Sequence, residues 1–136
     1  MRKPAFRTVR CILERDGRFL LVVHRAGRGR KLRGWALPGG RVERGEEPEA
    51  ALRRELREEL RIRVGDLRLV GDYRYKGHVH RVFAAACDEA LLKFPRAEIL
   101  KLGWHNGAQI DAFEAAGELH AGFEARAVRD LLAASR

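Results

Sequence analysis

The sequence predicts an α/β (α+β) fold, a single domain over residues 1–136 in which a mixed β-sheet carries packed α-helices. Three observations lead there. Short apolar runs bounded by turn residues recur on both sides of one long stretch of helix formers, Pro48 to about Arg61. A second amphipathic stretch, Phe123–Ala134, places Phe123, Ala127 and Leu131 on one face. The chain has 136 residues, 46% hydrophobic and 35% charged, which suits one hydrophobic core and is short for two.

The elements follow in order. Arg7–Leu13 reads as a strand, with Val9, Cys11 and Leu13 alternating toward one side. Asp16-Gly17 is a hairpin signal, and Arg18–His24 returns as a more buried strand. Ala26–Gly34 is a basic, glycine-containing loop, and Trp35–Leu37 is extended because Pro38 disfavours helix at the residue before it. Gly39-Gly40 then reads as a turn. Pro48 suits a first helical position, where its missing N–H needs no partner. Leu67–Tyr75, Val79–Cys87 and Ile99–Trp104 are three further strands.

Several function classes drop out on composition. No apolar run approaches the ~20 residues of a membrane-spanning helix; the longest, Phe19–Val23, is strand-sized. The start, Met1-Arg2-Lys3-Pro4, is basic without the apolar stretch of a signal peptide, so the expected location is the cytoplasm. Cys11 and Cys87 have no CxxC partner and no histidine at finger spacing, and read as small buried hydrophobes. The net charge of +9, from 28 Lys+Arg against 19 Asp+Glu, points to an anionic partner without choosing among nucleic acid, phosphorylated metabolites and acidic surfaces. Its densest cluster, Arg25–Arg33, holds four Arg and one Lys.

The helix carries the chemistry. With Glu55 set at zero and about 100° per residue, Glu58 falls near −60° and Glu59 near +40°, so three carboxylates share one face. Leu52, Leu56 and Leu60 form the neighbouring core-facing stripe, with Arg54, Arg57 and Arg61 on the far side. Carboxylates at i, i+3 and i+4 repel one another unless something positive covers them. Oxygen-only sites of this kind suit hard divalent cations such as Mg²⁺, which also bind substrate phosphates. A solvated acidic face with Arg54 paired to Glu58 is the alternative. A glycine pair and an acidic loop (Glu43, Glu46, Glu47) directly before the helix favour the site.

These residues resemble the Nudix hydrolase family (MutT-like), whose signature runs G-x5-E-x7-R-E-U-x-E-E-x-G-U with U a bulky aliphatic. Gly40, Glu46, Arg54, Glu55, Leu56, Glu58, Glu59 and Ile62 fall on its positions, and Trp35-Ala-Leu-Pro-Gly-Gly before it is typical of the family. Arg61 stands where the signature has its second glycine, a position that ends the helix in a left-handed conformation.

The resemblance implies a Nudix-type mixed sheet sandwiched between helices. It also implies Mg²⁺- or Mn²⁺-dependent cleavage of a phosphoanhydride in a nucleoside diphosphate linked to another moiety, such as a nucleoside triphosphate or nucleotide sugar. Glu55, Glu58 and Glu59 would bind metal, Arg54 would orient them, and Glu46 would support the loop. Gly39 and Gly40 would approach substrate phosphates. The base is Glu58 or Glu59 from the helix, or Glu98 from outside it. Arg25 and the basic loop are candidates for distal phosphates or a sugar. Strand alternation puts His78 and His80 on one face, either touching substrate or as ordinary strand surface, and Trp35 would pack beneath the signature loop. The partner expected is a small nucleotide-like molecule, with no membrane; a homodimer is an analogy. Alternatives are removal of pyrophosphate from the 5′ end of RNA, which no aromatic RNA-binding motif supports, and a non-catalytic nucleotide- or nucleic-acid-binding module.

Overall fold

A computed structural model describes residues 6–25, 34–88 and 98–135. Nine elements follow in chain order: β1 (Thr8–Arg15), β2 (Arg18–His24), β3 (Gly39–Arg41), α1 (Pro48–Leu60), β4 (Arg68–Tyr75), β5 (His78–Ala86), β6 (Ile99–His105), α2 (Gly107–Ala115) and α3 (Phe123–Ala134). The sheet runs β4-β5-β1-β2-β6, with β3 paired to β1. β1 lies parallel to β5 and the other pairings are antiparallel, which makes the sheet mixed.

Strand alternation sends side chains to two cores. Val9, Cys11, Leu13, Leu20 and Val22 face α1 and meet Leu52, Leu56 and Leu60. Ile12, Phe19, Leu21 and Val82 face the other way and meet Ile110 of α2 and Ala127, Val128 and Leu131 of α3. The three α1 leucines are essentially fully buried, each contributing about 1.5–3 kcal/mol. Cys11 and Cys87 are both free and buried, and burial pushes the Cys11 thiol far up.

One irregularity positions the site. β1 and β2 pair only beside their hairpin, at Glu14↔Phe19 and Arg15↔Arg18, where Asp16 (φ 52°) and Gly17 (φ 74°) make the tight turn. Beyond it the strands part and residues 35–41 wedge between them. Val22 bridges Ala36, Cys11 N–H donates to Pro38 O, and β1 pairs Thr8, Val9 and Arg10 with Arg41, Gly40 and Gly39. Gly39-Gly40 is therefore ladder, where the sequence suggested a turn. Glycine is required there because a Cβ on Gly39, at φ 145°, would lie 2.0 Å from the Val9 carbonyl oxygen.

Helix α2 was not anticipated. Its signal is a capping box: Asn106 accepts from Gln109 N–H, and the Gln109 side chain accepts from Asn106 N–H. Trp35 packs on that side of the sheet, stacked on Phe113 at 5.7 Å and edge-on to His105 at 4.9 Å, and not beneath the signature loop. Among the described residues no helix is long and apolar enough to cross a membrane.

Candidate active site

Helix α1 starts after Glu47 with Pro48 in its first turn and ends at Arg61, whose φ 55° and ψ 38° are left-handed. Arg61 N–H bonds Arg57 O at 3.0 Å and Ile62 N–H bonds Leu56 O at 3.4 Å, the closure expected where glycine ordinarily sits. The departure from the signature therefore leaves the turn geometry intact.

On the helix, Arg54 does not stay on the far side. Its guanidinium folds back over the acidic residues: Nε donates to Glu46 Oε2 at 2.8 Å, Nη2 to Glu46 Oε1 at 3.0 Å and to the Arg41 carbonyl at 3.1 Å. Nη1 reaches Glu55 at 2.9 Å and Glu58 at 3.3 Å. One planar fork thus ties the loop before the helix to two helix carboxylates. Glu46 in turn accepts from Glu43 N–H at 3.0 Å, and the Arg54 hydrogen bond holds the Glu46 carboxyl below the usual carboxylate range. Glu55 moves the opposite way: burial raises its pKa, while Arg54 opposes the rise.

The three carboxylates on the shared face have different surroundings. Glu58 has a side-chain exposure of 58% and Glu55 of 16%. Glu59 is buried, with its two oxygens 3.1 and 3.2 Å from His24 Nε2 at the end of β2. Gly40 lies against Glu55 so closely that a Cβ there would fall 2.3 Å from the Glu55 carboxyl carbon. Among the described residues no three carboxylate, imidazole or thiol groups converge on one point as metal ligands: Arg54 draws Glu55 and Glu58, and His24 draws Glu59. The donor set, carboxylates with one imidazole beside them, still fits a hard divalent cation.

A cleft of about 580 Å³ opens beside these groups, a volume in the usual range for nucleotide-sized ligands. Glu55, Glu59, Glu98, His24, Gly39 and Gly40 line it on the α1 side. Glu98 sits just before β6, tied to the chain end of β2 by Arg25 N–H donating to its carbonyl at 2.7 Å. Arg25 itself is exposed and is not among the lining residues; Ala26–Arg33, the rest of the basic loop, lies outside the described residues. His78 and His80 both reach the cleft from β5. Sequence reasoning missed Thr8, Arg10, His24 as the partner of Glu59, and Glu124. Only the strand alternation of Thr8 and Arg10 carried a signal for them.

Comparison with known proteins gives the family and the fold. A nucleoside triphosphatase NudI of Escherichia coli is 51% identical over 55 residues, which is 40% of this chain and 39% of that protein. The chain therefore matches well under half the length of those relatives. A MutT NUDIX hydrolase structure from Burkholderia pseudomallei aligns with a TM-score of 0.61 at 29% identity, covering 74% of this chain and 82% of that one. A NUDIX hydrolase structure from Nitrosomonas europaea shares the fold, with a TM-score of 0.73 at 24% identity over 95% of this chain and 89% of that one. The family profile described as NUDIX domain matches residues 4–127, and with that span the chain belongs to the NUDIX domain family.

Proposed function

We propose that this chain hydrolyses a phosphoanhydride bond in a nucleoside diphosphate linked to another moiety, a nucleoside triphosphate or a nucleotide sugar, with Mg²⁺ or Mn²⁺ required. The observation that carries the reading is the Arg54 fork. It ties Glu46 and Glu58 to Glu55, and of these Glu55 lines a nucleotide-sized cleft together with Glu59. The name of the NudI relatives, nucleoside triphosphatase, supports triphosphates as the first substrates to try.

Glu55, Glu58 and Glu59 would hold the cation, with Glu98 available in the same cleft. A bound divalent ion supplies positive charge that offsets the anhydride's negative charge and acidifies water. The chain's own groups do the rest. Arg54 offsets carboxylate repulsion and fixes two side chains with one rigid group. Gly40 lets the Glu55 carboxylate approach backbone that any side chain would exclude, and His24 keeps the buried Glu59 oriented. Glu58 or Glu59 on the helix, or Glu98, accepts the proton as water oxygen bonds to phosphorus and the anhydride P–O bond breaks, leaving two phosphate products.

The test is a panel of nucleoside triphosphates, nucleotide sugars, dinucleoside polyphosphates and 5′-triphosphate RNA, with and without Mg²⁺, beside Glu58→Gln and Glu59→Gln. Expected is cation-dependent release of phosphate or pyrophosphate that falls at least ~100-fold in a variant. Nucleotide binding with no turnover on any substrate would replace the reading with a binding module, and turnover confined to RNA would move it to RNA 5′ ends.

A further inference from the structure

The cleft has two lobes of opposite charge, and the proposed chemistry uses only one. They come from the two faces of the sheet and meet in one cleft. Glu55, Glu59 and His24 enter from the α1 face, whereas Thr8, Arg10 and His80 share the face that packs on α3, because Thr8 and Arg10 continue to the α3-facing Ile12 at two-residue steps. Register brings the second lobe together: Thr8 lies opposite His80, Arg7 N–H donates to Val79 O at 2.7 Å, and the β4–β5 turn carries Tyr75 and Lys76 to the rim.

This lobe is basic. Arg7, Arg10 and Lys76 line it, and among the described residues no carboxylate forms an ion pair with Arg7 or Lys76. Arg10 is set in the wall by Nε donating to Thr8 Oγ1 at 3.3 Å and Nη1 donating to the Leu37 carbonyl at 3.2 Å. The Thr8 hydroxyl then donates to His80 Nδ1 at 2.7 Å, which leaves the proton of a neutral imidazole on Nε2, 3.4 Å from Tyr75 O. Burial holds the His80 pKa below its usual value, and the charges of Arg10, His78 and Arg7 lower it further. Two of the lobe's three cations, Arg7 and Arg10, therefore bear on one ring. The acid of this lobe, Glu124, is 1% exposed and accepts from Ala121 N–H at 3.0 Å and Gly122 N–H at 2.6 Å, just before α3; burial raises its pKa, while these amides and the charge of Arg10 oppose the rise.

We propose that the basic lobe formed by Arg7, Arg10 and Lys76 is an anion subsite for a second phosphate ester, carried on the part of the substrate beyond the anhydride. Its place in catalysis rests on the hydrolase reading above; the binding itself does not. Cations held in a concavity attract an anion more strongly than the same charges on an open surface. The preferred substrate class is then a nucleotide anhydride bearing an additional phosphate. Such a phosphate comes either from a phosphorylated mononucleotide or from the chain of an RNA end.

The experiment is calorimetric titration of the whole chain with matched nucleoside 5′-monophosphates and 3′,5′-bisphosphates of adenosine, guanosine, cytidine and uridine. Mg²⁺ is present throughout, since neither ligand contains an anhydride to cleave. The ratio within each pair cancels any preference for the base. Expected is a bisphosphate at least about tenfold tighter than its monophosphate for the preferred base, shrinking to within about twofold as salt rises from 50 mM to 500 mM. The double variant Arg7→Gln/Lys76→Gln, at two surface positions, should bring the ratio near one at low salt while its melting curve stays that of the parent. Arg10→Gln gives the same readout from inside the wall. A ratio near one in the parent, or a ratio unchanged in the variants, overturns the subsite. A 5′-phosphorylated trinucleotide that binds tighter than the bisphosphate assigns the second phosphate to an RNA chain, and equal affinity assigns it to a mononucleotide. If the ratio holds while the hydrolysis panel, extended by 3′-phosphorylated nucleoside 5′-triphosphates, is silent, the hydrolase reading fails and the subsite stands.

Discussion

Arg61→Gly should stabilise the protein, and the size of the gain follows from one backbone conformation. Arg61 sits at φ 55° and ψ 38°, where a residue with a Cβ pays roughly 1–2 kcal/mol. Glycine avoids that cost but loses about 0.5–1 kcal/mol through the greater freedom of the unfolded chain. The net is about 0.5–1 kcal/mol in favour of the variant. An unfolding entropy of about 2.1 cal/mol/K per residue gives roughly 0.3 kcal/mol/K for a chain of 136 residues, so Tm should rise by about 2–3 °C. Differential scanning calorimetry measures it, with Arg61→Ala as the control. Alanine removes the same exposed side chain and charge but keeps the Cβ, so its Tm should stay within about 1 °C of the parent. An alanine variant that gains as much as glycine would place the effect in the side chain and refute the backbone account. A glycine variant that loses stability would refute it as well.

Three further outcomes follow from the site and its supports. Gly39→Ala and Gly40→Ala should fail in different ways: the first meets fixed backbone at Val9 and should lower stability by at least ~3 kcal/mol, read by denaturant melts. The second meets the movable end of Glu55, so it should fold yet lose about 100-fold in kcat. His105 has Nε2 buried without a partner among the described residues and a pKa lowered by burial. Its contribution to stability is therefore complete above the unfolded value of about 6.5 and is lost as pH falls through the lower folded value. His105→Phe should flatten that acid limb, seen by comparing urea midpoints at pH 5 and pH 7.5. Finally, millimolar Mg²⁺ should raise Tm in the parent, because an ion that binds only the folded state stabilises it. The same addition should do less in Glu55→Gln and Glu59→Gln; an equal rise in all three would remove these carboxylates from the metal site.

The local elements were largely legible. Arg18–His24, the start of α1 at Pro48 and the span Phe123–Ala134 match the elements formed, since alternation, proline placement and helical period are all short-range signals. The carboxylate face was legible for the same reason: i, i+3 and i+4 are fixed by helical geometry alone. What those carboxylates touch was not. Glu58 and Glu59 are adjacent in sequence, yet one is largely in water and the other is buried on His24, 35 positions away. That difference comes from the parting of β1 and β2, which depends on a wedge of residues 35–41 that periodicity cannot place. The wedge also explains the misread glycine pair: Gly39 and Gly40 look like a turn locally and act as a strand because they pair with Arg10 and Val9 of β1.

Arg54 shows why long-range geometry decides function here. On a helical wheel it falls beside Glu58, and a simple i, i+4 pair would be worth only about 0.3–0.5 kcal/mol on an exposed surface. In the fold the same side chain also reaches the Arg41 carbonyl and both oxygens of Glu46, so its guanidinium closes a ring formed by the loop, β3 and the helix. A lysine could offer the charge but not the fork. Arg54→Lys should therefore retain most of the stability and lose most of the order among Glu46, Glu55 and Glu58. If turnover survived that change nearly intact, the clamp would be a scaffold for the loop alone, and the carboxylates would be positioned by the helix without it.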